Sequence, residues 1–288
     1  MKATVILAAY AQPGTLALAL AAFVRQTVQD FEVVLADDGS PDDYAPVLEA
    51  YASRFKAPLQ HVRQDDRGFR KTRILNRAVS VARAPCLVFA DFDCLPHSRF
   101  LADHLQHVAP GTAVSGRRVH VERTAVPDEG TILAKGLGLH PLRLALLALQ
   151  GQARVIEHGI PLPFLAEASQ ARIFGSNFSI MKEDLFLVNG FNEEYEAPGV
   201  GEDTDLDLRL KKAGTRVRVF RNRMIQYHLA HPSPRYDAPR NLEILERARV
   251  ASDFRAAVGL AEIVPGDFTR REYEGGLPGA RSETAPGG

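Results

Sequence analysis

Residues Cys86 to Leu95, reading Cys-Leu-Val-Phe-Ala-Asp-Phe-Asp-Cys-Leu, constrain this chain more than any other stretch. The apolar run Cys86 to Ala90 has the length of a buried strand and stops at two carboxylates one residue apart, Asp91 and Asp93. Pro96 forbids the strand from continuing. In a parallel α/β sheet such strand ends are where ligands bind, and paired carboxylates offer hard oxygen ligands to Mg²⁺ or Mn²⁺. The same pair could merely cap the next helix, which Ser98 does equally well, so the remaining chain has to decide.

The segments before it alternate. Thr4 to Ala9, Phe31 to Ala36 and Leu59 to Val62 read as strands, while Leu16 to Val28, Tyr44 to Phe55 and Arg70 to Arg83 read as helices. Short connections between them predict a doubly wound, mostly parallel sheet. Three strands end in polar groups: Tyr10, Asp37-Asp38 and Asp91-Asp93. Gly68 precedes a helix whose first turn carries Arg70 and Lys71, a cationic pole suited to an anion, although a solvated basic face is the commoner outcome.

Charge narrows the partners. Thirty-five basic residues balance thirty-five acidic ones, so no global field argues for nucleic acid. Cys86 and Cys94 read as free thiols of a reducing compartment. Gln12-Pro13-Gly14 interrupts the Ala/Leu-rich start, and no apolar run approaches ~20 residues, which argues against a signal peptide or spanning helix. A cytoplasmic protein is expected, with the inner face of the membrane open to it if the acceptor is lipid-linked.

Between Glu122 and Ser169 prolines and glycines break the pattern around an apolar Pro141 to Gln150, for which a buried core helix is the first expectation, a lid or membrane-surface contact the others. Ala171 to Met181 returns to strand-like alternation. Glu194 to Leu206 is a glycine-bearing loop leading into a helix, with Glu202 and Asp203 at its N-terminus. Val217 to Phe220 and Met224 to His228 read as short strands, Arg240 to Val258 as a closing helix, and Pro265 to Gly288 as a disordered tail.

With these motifs in order, the chain resembles a family 2 glycosyltransferase of the GT-A fold, an α/β nucleotide-diphospho-sugar transferase. Ala8-Ala9-Tyr10, Asp37-Asp38-Gly39-Ser40, Gly68 through Ala78 and Asp91-Phe92-Asp93 carry the first half. Gly175-Ser176-Asn177 and Val188 through Leu206 resemble the galactosyltransferase-type module of bacterial chondroitin-type polymerases and β-1,4-galactosyltransferases. The resemblance implies a nucleotide-sugar-binding half (1–120), a variable segment (121–170) and an acceptor-binding, catalytic half (171–262) ahead of the tail (263–288). It implies an inverting, metal-dependent transfer from a nucleotide sugar, with UDP as the carrier, to a saccharide or lipid-linked saccharide.

It also implies roles. Ala9, Tyr10, Asp38, Gly68, Arg70, Arg73, Asp91, Phe92 and Asp93 would bind the nucleotide sugar, with Arg70 or Arg73 replacing an Arg that is here Leu75. Asp93, Asp91 and His228 would hold Mn²⁺ or Mg²⁺, with His231 an alternative to His228. Asp203 would be the base, Glu202 its catalytic neighbour, and Asn177, Gly201, Glu202 and Asp205 would meet the acceptor. The usual acceptor-supporting Trp is missing, since the loop reads Ala-Pro-Gly-Val-Gly and the chain has no Trp. A dehalogenase-type phosphohydrolase, a nucleotidyltransferase and a non-catalytic sugar-nucleotide scaffold are the rival readings.

Overall fold

A computed structural model describes residues 1–162, 171–231 and 237–275. The alternation predicted for the first third is present as β1 (Ala3–Ala9), α1 (Pro13–Val24), β2 (Phe31–Asp37), α2 (Ala45–Ala52), β3 (Leu59–Arg63), α3 (Lys71–Val81) and β4 (Cys86–Asp91). There follow β5 (Cys94–Pro96), α4 (Phe100–His107), β6 (Thr112–Ser115), β7 (Arg118–Val121), α5 (Glu129–Lys135), α6 (Pro141–Leu149) and β8 (Ala153–Arg154). The rest comprises β9 (Asn177–Met181), α7 (Lys182–Leu187), α8 (Glu202–Lys212), β10 (Arg216–Val219), β11 (Gln226–Leu229), α9 (Pro239–Val250) and β12 (Thr269–Tyr273).

Among the described residues the large sheet has the order β10-β6-β9-β4-β1-β2-β3-β12, parallel from β4 to β3 and antiparallel at β9 and β12. β1 shows why its sequence is apolar throughout. Val5 and Leu7 belong to the core on the α1 side, whereas Ile6 and Ala8 join Ile74 and Ala78 of α3 in the core on the other. This is an α/β sheet covered on both faces, the GT-A architecture expected.

A smaller sheet, β5-β11-β7-β8, lies beyond the end of β4. Pro96 does not stop extended structure there; it sits on the edge strand β5, opposite Gln226, where a missing N–H costs little. The segment 121–170 is not separate in its described part, because α5 packs on α1 and β8 pairs with β7. None of its described residues lines either cavity of the site. Nor is α6 a buried helix: Leu144 and Leu147 are buried, while Leu142, Leu146 and Leu149 are 81, 55 and 88% exposed. The tail also departs from expectation, since Thr269–Tyr273 pairs antiparallel with β3; the part from 276 onward lies outside the described residues.

Candidate active site

A first cavity, about 450 Å³, opens where β1, β2 and β4 end. The fold brings Ala9, Tyr10, Asp38, Gly68, Asp91, Phe92 and Asp93 together in its lining. The neighbouring Asp37 is buried, accepts the Ser40 N–H at 2.7 Å and contacts His61 at 2.9 Å. Those contacts outweigh burial and hold its carboxyl below the ordinary range. Asp38 accepts the Gln64 amide at 2.5 Å and the Arg70 N–H at 2.8 Å, and burial still pushes it up. The half-exposed Tyr10 ring stands at the mouth, its hydroxyl donating to Asp66 at 3.3 Å.

The two sheets together build a second constellation. β5 pairs with β11 so that His228 lies opposite Cys94, and the Leu229 N–H donates to the Asp93 carbonyl at 2.9 Å. Asp93 Oδ2 is thereby 3.3 Å from His228 Nε2 and 3.1 Å from His231 Nε2. One ligand atom from each of the three falls within 4.8 Å of the others. A carboxylate with two imidazoles is a mixed oxygen and nitrogen donor set, which a divalent transition-metal ion such as Mn²⁺ accepts more readily than Mg²⁺ with its all-oxygen preference. Burial opposes ionisation of Asp93, yet His228, the Cys94 thiol and His231 hold it down at about 2. The other nitrogen of His228, Nδ1, lies 3.2 Å from Nδ1 of His120 on the adjacent strand β7. Burial and the charge of Arg118 bring His120 down to about 4, leaving it neutral near pH 7 and able to accept that N–H.

A second cavity of about 510 Å³ shares Phe69, Lys71, Asp91, Asp93 and Pro198 with the first and continues to Glu202, Asp203, His228 and His231. Gly201, at φ 95°, starts α8 in a conformation that suits glycine and sets Glu202 and Asp203 in its first turn. Asp203 Oδ2 accepts the Gly175 N–H at 2.8 Å. Burial pushes the Asp203 carboxyl up against the charge of Lys71 and that N–H, and Asp91 adds to the rise. Burial and the charge of Asp203 push Glu202 up to about 7.

The Glycosyl transferase family 2 profile matches residues 4–157, more than half of the chain. The chain belongs to that family. Residues 164–232 of this glycosyltransferase match a second profile, the N-terminal domain of galactosyltransferase. The hyaluronan synthase of Pasteurella multocida is 23% identical over 258 residues, 82% of this chain, which spans 25% of that relative's length. The crystal structure of S. aureus TarS in complex with UDP-GlcNAc has a TM-score of 0.57 at 17% identity, covering 91% of this chain and 69% of that one. The mannosyltransferase PcManGT of Pyrobaculum calidifontis, in complex with GDP-Man and Mn²⁺, has a TM-score of 0.50 at 21% identity, covering 80% and 57%.

Several residues of this glycosyltransferase do other work than their motifs implied. Asp91 is not with the imidazoles; its Oδ1 takes the Lys71 ammonium at 2.5 Å. Arg70 reaches the site through its backbone, its side chain pairing with Asp65. Arg73 turns away to Gln64 and Asp267. Asn177 is fully buried, donating to the Met224 and Arg117 carbonyls and contacting His104, so it does not meet an acceptor. Asp205 is 1% exposed and paired with Arg209. Lys71, Arg118 and Phe174 line the second cavity from three separate segments without having been assigned to the site, and Ser176 of the Gly175-Ser176-Asn177 motif lines it beside them. Of the three unassigned residues, Lys71 left a trace in the sequence, as part of the cationic pole after Gly68.

Proposed function

We propose that this chain transfers a hexosyl or N-acetylhexosaminyl unit from a UDP-linked donor to a saccharide or lipid-linked saccharide by metal-dependent single displacement, inverting the anomeric centre. The observation that carries the reading is the meeting of two cavities at Lys71, Asp91 and Asp93, one walled by Tyr10 and Asp38 and the other by Asp203. Asp38 and Tyr10 border the nucleoside. Asp93, His228 and His231 would hold the divalent cation, which when bound offsets the charge left on the departing diphosphate. The TarS complex with UDP-GlcNAc and the PcManGT complex with GDP-Man and Mn²⁺ support this kind of donor and ion.

Asp203 takes the proton from the acceptor hydroxyl as it attacks, and the Gly175 N–H keeps the carboxylate oriented. Lys71 draws Asp91 away from the metal ligands and favours the ionised form of Asp203. The buried thiol of Cys94, whose pKa is pushed far up by burial, has no part in the reaction.

Calorimetry with a panel of nucleotides and nucleotide sugars, with and without Mn²⁺, tests the reading. UDP-specific binding that requires Mn²⁺ and is lost in Asp93→Ala is expected, while Asp203→Asn keeps binding and abolishes transfer. Equal loss of binding in the two variants would overturn this division of roles. Absence of metal-dependent nucleotide binding in the wild type would move the assignment to a scaffold that kept the fold alone.

A further inference from the structure

Among the described residues lining the base-side cavity, two side chains carry a fixed positive charge, Lys71 and Arg118. Lys71 is engaged by Asp91. Among the described residues Arg118 has no ion-pair partner: of its five N–H donors, one meets Ser176 Oγ at a long 3.4 Å, and Nε is buried with no acceptor among them. Its guanidinium carbon lies 4.6 Å from the centre of the Phe174 ring, which fixes its position while leaving its donor edge unspent.

We propose that Arg118, stacked on Phe174, is a subsite for a negatively charged group on the acceptor, a saccharide bearing a carboxylate or phosphate; this rests on the transferase reading above. Position favours it. Phe174 and Ser176 flank Gly175, whose N–H holds the base, so an acceptor hydroxyl at Asp203 puts the rest of its sugar beside Arg118. Asp203 and Glu202 place carboxyl groups at the reacting end of the cavity, and Lys71 is already paired with Asp91, so Arg118 is where the lining favours a negative group on the acceptor. The loop without tryptophan fits this arrangement, because the ring available here carries a guanidinium rather than a sugar. Arg118 lines the base-side cavity and not the Tyr10–Asp38 cavity, which favours the acceptor over the nucleotide as the source of the anion.

The test uses the full chain saturated with UDP and Mn²⁺ and titrated, by saturation-transfer NMR, with matched pairs: methyl β-glucuronide and β-glucoside, methyl β-galacturonide and β-galactoside, glucose 6-phosphate and glucose. At least one acid is expected to bind about tenfold or more tightly than its neutral partner. Arg118→Ala erases that preference, Arg118→Lys keeps part of it, and both keep UDP affinity within twofold. Arg118→Gln replaces the alanine variant if the latter does not fold. Equal binding within every pair overturns the proposal. So does a variant that loses UDP affinity tenfold with the acid preference intact, which would give the guanidinium to the donor diphosphate. Failure of the wild type to bind UDP at all overturns the transferase reading itself and the subsite with it.

Discussion

Replacing Asp205 by Asn separates a structural carboxylate from a ligand-binding one. Asp205 Oδ2 lies 2.8 Å from Arg209 Nε and 2.7 Å from Nη2, with both side chains almost entirely buried. Arg209 Nη1 also donates to the carbonyls of Val188 and Gly190, each at 2.8 Å, tying α8 to the turn before Phe191. Asp205→Asn preserves volume but leaves the guanidinium buried without its counter-charge. Removing one partner of such a pair costs roughly 3–5 kcal/mol. Unfolding entropy of about 2.1 cal/mol/K per residue gives a 288-residue chain about 0.6 kcal/mol/K. The expected fall in melting temperature is therefore roughly 5–8 °C, read by scanning calorimetry at pH 7.5. Asp203→Asn, measured alongside, should not fall comparably, because Lys71 keeps its pair with Asp91 and an asparagine oxygen can still accept the Gly175 N–H. A fall below about 2 °C for Asp205→Asn, accompanied by weaker acceptor binding, would refute the structural role.

Two further outcomes concern the base. A methyl group on Gly175 would sit 2.1 Å from Asp203 Oδ1, so Gly175→Ala must displace the carboxylate; turnover of the tightest-binding donor should fall about 100-fold with UDP–Mn²⁺ affinity unchanged, and near-normal turnover would remove Asp203 from the reaction. Asp203 works ionised and is pushed up, so the rate should climb with pH along a limb above the usual carboxylate range; Lys71→Met removes the cation that favours ionisation and should move the limb to higher pH, and a pH–rate profile showing no movement or the opposite one contradicts the assignment.

The strands and helices that carry motifs were legible because each is local. Period and capping reveal where β4 stops and where α8 starts, and hence where Asp93 and Asp203 lie. The partition between Asp91 and Asp93 was not legible, because it depends on groups far along the chain. Lys71 arrives from α3, and His228 and His231 arrive through the pairing of β11 with β5. Asp205 and Asn177 look like neighbours of the acceptor on spacing alone. What gives them structural work is Arg209 one helical turn on and the carbonyls of Met224 and Arg117, partners that no motif lists. Arg118 and Phe174 carry no signal of their own, since their meaning comes from facing one another across 55 intervening positions. The strand Thr269–Tyr273 failed for a different reason: four of its five residues are exposed, so alternation cannot mark it.

That strand has a bearing on how the molecule behaves among its own copies. Without it β3 would be the border of the large sheet and would offer a row of unpaired backbone donors and acceptors to any passing strand. β12 closes that border with Arg270, Arg271 and Glu272, and Arg270 is anchored to Gln60 of β3 at 2.8 Å. Charged side chains on the outermost strand make further strand addition unfavourable. The stretch of sequence that looks most like dispensable tail is thus what keeps the sheet from growing by aggregation.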